Sequence, residues 1–284
     1  MRRIWLCADD YGMSPAINVA IRDLVVRGRL NATSALVAAA SCHRAEAVAL
    51  AALNSTAPRV AIGLHVALTA PFEPLSKGFG SAREGAFLPL AATIRHAWLR
   101  RFDRDALASE IASQVKRFSE LFGHGPAFID GHQHVHLLPQ IRDAVLQVAK
   151  EAAPNAWLRQ CGRAIPLMAG LADWKGFFLD LMSSSFRRRA EALGLRTNPA
   201  FAGTYEFAGD ADFPDLFPRF LAGLPEGGLV MCHPGFVDAQ LQRLDPLTTL
   251  REREYAFLAS DAFSAVLAAH GITLGTQVQA DCTR

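Results

Sequence analysis

The chain has 284 residues, 51% hydrophobic and 20% charged, with a formal net charge of +2. That balance supports a sizeable core and excludes a disordered chain. No basic stripe interleaves with aromatics, which excludes a nucleic-acid footprint; the run Arg187, Arg188 and Arg189 reads as a solvated helix face.

Five cysteines, Cys7, Cys42, Cys161, Cys232 and Cys282, are scattered and contain no C-x-x-C. That pattern argues against a disulfide framework and against a zinc ribbon. In "MRRIWLCADD" a short apolar run is cut off by Asp9 and Asp10, so a secretory leader is not expected. No stretch approaches the roughly 20 apolar residues of a membrane span. A reducing cytoplasm is the expected compartment, and the length suits one large domain or two small ones.

Short β-prone runs alternate with longer helical patterns. "RIWLCA" reads as a first strand and leads into a helix over "SPAINVAIRDLVVRG". There Ser14 caps, Pro15 suits the first turn, and Ile17, Ile21, Leu24 and Val25 form one stripe. "TSALVAAA" precedes a helical stretch from about His43 to Leu53, and "RVAIGLHVAL" is the third strand. Leu107, Ile111, Val115, Phe118 and Leu121 then share a helix face that Gly123 ends. "PAFIDGH" is the fourth strand, followed by a helix from Pro139 with Ile141, Val145 and Val148 inward. "AWLRQC" is the fifth, a weak run near "LGLRTN" the sixth, "GGLVMCHP" the seventh and "GITLGT" the eighth. The repetition predicts a parallel sheet with helices outside, as a barrel or a doubly wound sheet. Two long segments, near 70–104 and 162–227, interrupt the rhythm, and loops of that length usually cover a site.

Parallel folds place their sites at the C-terminal ends of strands. Here the first strand ends in Asp9 and Asp10, the third in His65, the fourth in Asp130 and His132, the fifth in Arg159 and the seventh in His233. In "VAIGLHVA", His65 shares its side with Ala61, Gly63 and Ala67, where a lumen or ligand has room. In "PAFIDGHQH", Phe128, Asp130, His132 and His134 share parity. Histidines and a carboxylate from separate strands suit a divalent metal. Taken singly, each is as well explained as a hydrogen-bonded strand end. The neighbouring Asp9 and Asp10 reach one site if the chain bends at Gly12, one acid held ionised and the other able to take a proton. There is no G-x-S-x-G, no G-x-x-x-x-G-K-[ST] and no H-E-x-x-H, and glycine-rich "GFGSAREG" reads as a flexible loop.

"ADDYGMSPAIN", "IGLHVALT", "FIDGHQHVHLLPQI" and "GLVMCHPGF", in this order, resemble the YdjC-type carbohydrate deacetylases. That group includes chitooligosaccharide deacetylase and a hopanoid-biosynthesis deacetylase. The likeness continues beyond "DPLTTLREREYAFLASDAF" and so covers essentially the whole chain, 1–284, as a single domain. It implies an α/β fold, an irregular and incomplete TIM-like (β/α) barrel with parallel strands. The implied activity is metal-dependent removal of acetyl groups from N-acetylated amino sugars. By resemblance, Asp10, His65 and His132 bind one divalent metal ion, magnesium or zinc. Asp9 is then the general base, His233 the general acid, and Arg159 orients the base. Tyr11, Asp130, His134 and His136 become candidates for supporting the ligands or touching substrate, and Trp98, Trp174 and Tyr205 for stacking on sugar rings. A different metal-dependent amide or lactam hydrolase, and an inactive sugar-binding barrel, remain alternatives. A homodimer is one assembly compatible with the sequence, which does not decide among them.

Overall fold

The first strand, β1 (Arg2–Tyr11), is the spine of the computed structural model, which describes residues 1–80, 85–164, 174–206 and 211–275, with 174 and 175 described by their backbone alone. Strands β2 (Ala32–Ala35), β3 (Ala61–Val66), β4 (Phe128–Gly131) and β5 (Trp157–Leu158) extend from one edge of it. β7 (Leu229–Cys232) and β6 (Phe201–Ala202) extend from the other, and β8 (Ile272–Leu274) pairs with the start of β1. Every pairing is parallel. Among the described residues, the end strands β5 and β6 form no ladder with each other; their segments meet through a bridge between Leu158 and Thr197 and a backbone bond from Phe201 N to Gly162 O at 2.9 Å. The sheet is therefore a curled half-barrel, the incomplete barrel that the resemblance implies. Asn31 fills the fork where β8 and β2 share one edge of β1. Its side chain accepts from Leu6 N at 2.7 Å and donates to Ile4 O at 2.8 Å and Gly275 O at 3.0 Å.

The helices in chain order are α1 (Pro15–Val26), α2 (Arg44–Ala51), α3 (Leu90–Trp98), α4 (Arg104–Phe122) and α5 (Ile141–Ala152), then α6 (Trp174–Ala192), α7 (Phe213–Leu221), α8 (Ala239–Leu244), α9 (Thr249–Ala259) and α10 (Asp261–Ala269). Ser14 caps α1 as expected, and the stripe of Ile17, Ile21, Leu24 and Val25 is buried. α4 starts at an Asp103 cap and ends at Gly123, whose φ of 80° suits glycine. Its buried face also carries Glu110 and Gln114. Gln114 exchanges hydrogen bonds with both backbone groups of Ala67, and Glu110 accepts from Leu75 N and Ser76 N. Together they pin the segment that follows β3.

Two expectations are revised. The sixth strand forms at Phe201–Ala202, and the "LGLRTN" run contributes only the Thr197 bridge. Two residues on each strand give too little apolar alternation to be read from sequence. The long segments are also not plain loops: the first contains α3, and the second α6, β6 and α7. Part of "GFGSAREG", the Trp174 side chain and Cys282 lie outside the described residues.

The room expected beside Gly63 is filled by aromatics. A Cβ at Gly63 would lie 2.5 Å from the Phe128 ring, which stacks on Trp157 at 4.5 Å. Trp157 in turn meets Trp5 at 5.8 Å. Glycine in β3 thus lets β4 pack its largest residue inward, two positions before His65. Gly63→Ala is expected to destabilise the protein by roughly 1–3 kcal/mol through overpacking, read as a lower midpoint of thermal unfolding. The double change with Phe128→Leu should recover part of the loss, and an unchanged midpoint for the single variant would refute the packing account.

Candidate active site

The polar strand ends meet on one side of the sheet. β1 pairs Ala8 with Thr33 and then Tyr11 with Ala35, so three steps on β1 face two on β2. This bulge, with Asp10 at a φ of 71°, turns both neighbouring acids toward the same end of the sheet. The bend was expected at Gly12. Gly12 does lie at a φ of 96°, but the conformation that presents the second acid belongs to Asp10 itself.

Asp10, His65 and His132 are all buried, and one donor atom from each lies within 4.8 Å of the others. Asp10 Oδ1 stands 3.1 Å from His132 Nδ1 and 3.4 Å from His65 Nε2. His65 and Asp130 are register partners, and His65 Nδ1 lies 2.6 Å from Asp130 Oδ1. The network assigns the Nδ1 proton of neutral His65 to that bond, which leaves Nε2 with a lone pair facing Asp10. Burial pushes His65 down, but Asp130, Asp9 and the hydrogen bonds to Asp10 and Asp130 outweigh it and raise the imidazole to about 10. Converging lone pairs here attract a positive charge, either a proton or a cation. One carboxylate oxygen and two imidazole nitrogens form a donor set suited to a divalent ion.

Asp9 is held differently. Both its oxygens accept from Arg159, Oδ1 from Nη1 and Oδ2 from Nη2, each at 2.7 Å. Arg159 Nη2 also lies 3.0 Å from Asp130 Oδ2, close enough for charge attraction though not aligned as a hydrogen bond. Burial pushes Asp9 up, but Arg159 and His65 prevail and hold its carboxyl well below the usual range. Ser34, at the end of β2, stands 3.3 Å from Asp9 Oδ1 and 3.1 Å from His65 Nδ1. Cys7, Asp9 and Asp130 also bring donor atoms within 4.8 Å of one another. Arg159 already neutralises those two acids, and burial raises the Cys7 thiol well above its ordinary value, so this second group is a poor cation site.

The histidine-rich run after β4 is not strand-like. Residues His132–Leu137 form a tight 3₁₀ turn with Gln133 and His134 at left-handed φ values of 54° and 58°, which breaks the expected parity. His132 enters the Asp10 cluster. His134 is half-buried, with Nδ1 3.6 Å from Cys161 Sγ, and burial and Arg159 push it down to about 3. His136 is fully buried and meets the Arg159 carbonyl through Nε2 at 2.8 Å. It props the segment carrying Arg159. Gly131 makes this possible, since a Cβ there would lie 2.9 Å from His136 Nδ1.

Tyr11 is not brought to the cluster. Its fully buried side chain bonds to the Glu46 carbonyl at 2.8 Å and to Arg22 at 2.8 Å, tying α1 to α2. Trp98 is half exposed on α3 and packs on Phe178, and Tyr205 bonds to Glu254 at 2.6 Å. His233 follows β7. Its ring is pushed down to about 4 by burial, which with Arg251 outweighs the pull of Asp10.

Two buried residues of the site were not anticipated, and both come from α9. Arg251 donates to Asp10 Oδ2 at 2.7 Å. With burial opposing them, Arg251 and His132 hold Asp10 well below its ordinary value. Glu254 accepts from His233 N and Tyr205 Oη, and burial raises it to about 7. Their signal was present, since 251, 254 and 258 share a helix face with Leu258 buried. Charges at two inward positions of an otherwise apolar face mark a site.

Among proteins of known name, the chain is 33% identical over 274 residues to a chitooligosaccharide deacetylase of Klebsiella pneumoniae (strain 342), covering 95% of each chain. It is 28% identical over 288 residues to one from Escherichia fergusonii, again covering 95% of each. Among solved structures, a protein of Enterococcus faecalis V583 named for cellobiose-phosphate cleavage superposes with a TM-score of 0.74. That match has 22% identity and covers 96% of this chain and 97% of the other, which supports the half-barrel fold. The family model described as YdjC-like protein matches residues 3–269, a span that takes in every residue of the cluster, and the chain belongs to that family.

Proposed function

We propose that this protein is a cation-dependent hydrolase that removes acetyl groups from N-acetylated amino sugars. The observation that carries the reading is the division of labour between adjacent acids. Asp10 gives one oxygen to Arg251 and turns the other toward two imidazoles, whereas both oxygens of Asp9, one residue earlier, are gripped by Arg159. The relatives named for chitooligosaccharide deacetylation support the substrate class.

Asp10, His65 and His132 would hold a divalent cation, magnesium or zinc. Bound there, it would supply Lewis acidity that polarises an acetyl carbonyl and acidifies water. The protein's own groups do the rest. Asp9 stays ionised, and its Oδ2 accepts only from Arg159 among the described residues. A lone pair at Oδ2 is thus available to take the proton of an attacking water. Arg159 fixes the direction of that lone pair, and His136 and Asp130 fix Arg159. Half-buried His233, close enough to Asp10 and Asp9 to feel their charge, would give the departing amine its proton. Its ring starts unprotonated at neutral pH, so the proton it would deliver to the amine is the one Asp9 takes from the water, passed on during turnover. His134 and His233 are the half-buried histidines of the site, and the other residues of the cluster are buried.

Release of acetate from N-acetylglucosamine oligomers, with and without chelator, tests the reading. Asp9→Asn is expected to lower turnover by roughly 10²–10⁴-fold while about one cation per chain is retained. Loss of the ion instead would mean that Asp9 and Asp10 have exchanged roles. His233→Ala should depress the rate by a similar factor with metal affinity unchanged, and a wild-type rate would remove it from the mechanism. No acetate release at any divalent ion tested would overturn the reading.

Glu254 makes a separate pH prediction. A carboxyl raised to about 7 from 4.5 stabilises the fold fully below pH 4.5 and loses that contribution as pH rises through 7. Glu254→Gln mimics the protonated form at every pH. Its stability relative to wild type should therefore be more favourable at pH 8 than at pH 4.5, by on the order of 3 kcal/mol. A difference independent of pH would show that Glu254 is not held in this way.

A further inference from the structure

Arg251 is 1% exposed, on a helix outside the sheet, yet it reaches the cluster. Its Nε donates to Leu247 O at 2.9 Å, one turn earlier on the chain. Its Nη2 lies between two carboxylates, 2.7 Å from Asp10 Oδ2 and 2.8 Å from Asp245 Oδ2. The backbone of Arg251 accepts from Gly235 N at 3.1 Å, and a Cβ at Gly235 would lie 3.6 Å from the arginine stem and 2.9 Å from Ile17. Gly235, two residues after His233, thus lets the backbone lie close against Ile17 while touching the arginine stem at ordinary contact distance. The guanidinium is held by Leu247 O and Asp245, and the residue's backbone by Gly235 N, before it meets Asp10. Its contact engages Oδ2, while Oδ1 is the oxygen that meets both imidazoles.

We propose that Arg251, anchored by Asp245, is a positioning residue for the cation: by holding Asp10 Oδ2 it presents Oδ1 alone to the ion alongside His65 and His132. This rests on the reading that those three residues hold a cation. Simple electrostatics points the other way. A buried positive charge beside a cation site repels the ion, so its removal should tighten binding if Arg251 contributed charge alone. If it contributes direction, its removal weakens binding by the factor typical of residues that orient metal ligands, roughly 10- to 100-fold.

The test titrates zinc and cobalt(II) into chelator-treated wild type, Arg251→Lys and Arg251→Met, with dissociation constants measured by calorimetry. The visible absorption of bound cobalt reports the geometry around the ion independently of turnover. Arg251→Lys keeps the charge and loses the planar fork, so weakening in it reports direction. We expect weaker binding of both ions by roughly 10-fold or more in each variant, with an altered cobalt spectrum in Arg251→Lys. Wild-type or tighter affinity in Arg251→Lys overturns the proposal. Should Arg251→Met fail to fold, Arg251→Lys decides alone. If wild type binds neither ion, the cation reading itself fails; if it binds and the lysine variant matches it, only the role of Arg251 fails.

Discussion

The guanidinium of Arg159 makes the cluster tenable. Asp9 and Asp130 bring oxygens within 4.8 Å of each other in a buried setting. Two such charges repel by roughly 3–4 kcal/mol at an effective dielectric near 20, and taking each out of water costs several more. Without a cation between them, one acid would protonate or the pocket would open. Arg159 prevents both, and its bidentate grip on Asp9 makes a direction out of a charge. His136 exists in this arrangement to hold the backbone that carries Arg159.

Three buried carboxylates, Asp9, Asp10 and Asp130, face two buried guanidiniums, Arg159 and Arg251. Arg251 is shared with Asp245 as well, so carboxylates outnumber guanidiniums where Asp10 meets His65 and His132. A core designed for stability alone would replace such a network by apolar packing. Under the proposed function, the surplus would be the attraction of the pocket for a positive ion. The same acids, Asp130 and Asp9 foremost, outweigh burial and raise the His65 imidazole to about 10.

Much of this was legible in the sequence because a parallel sheet brings the ends of its strands together. Asp9, Asp10, His65, Asp130, Arg159 and His233 each follow an apolar run, and topology did the rest. What stayed hidden depends on local backbone exceptions or on distant helices. The histidine run looked like a strand until two left-handed residues redirected it. Arg251 and Glu254 lie in "LREREYAF", which reads as a solvated charged face unless the inward phase of the helix is worked out. Tyr11 shows the opposite error: adjacency to the acids suggested a role at the site, but one step along the bulged strand directs it into the seam between α1 and α2. Phe128, placed by parity beside Asp130, turned out to fill the interior that had been expected to stand open.

The extra residue in β1 carries a consequence of its own. Deleting it would restore uninterrupted pairing with β2 and produce a more regular sheet. The same deletion would swing one of the two acids to the opposite side and leave a single carboxylate for the two tasks proposed for the pair. An engineer who idealised this strand would thus obtain a tidier scaffold that had forgotten its chemistry.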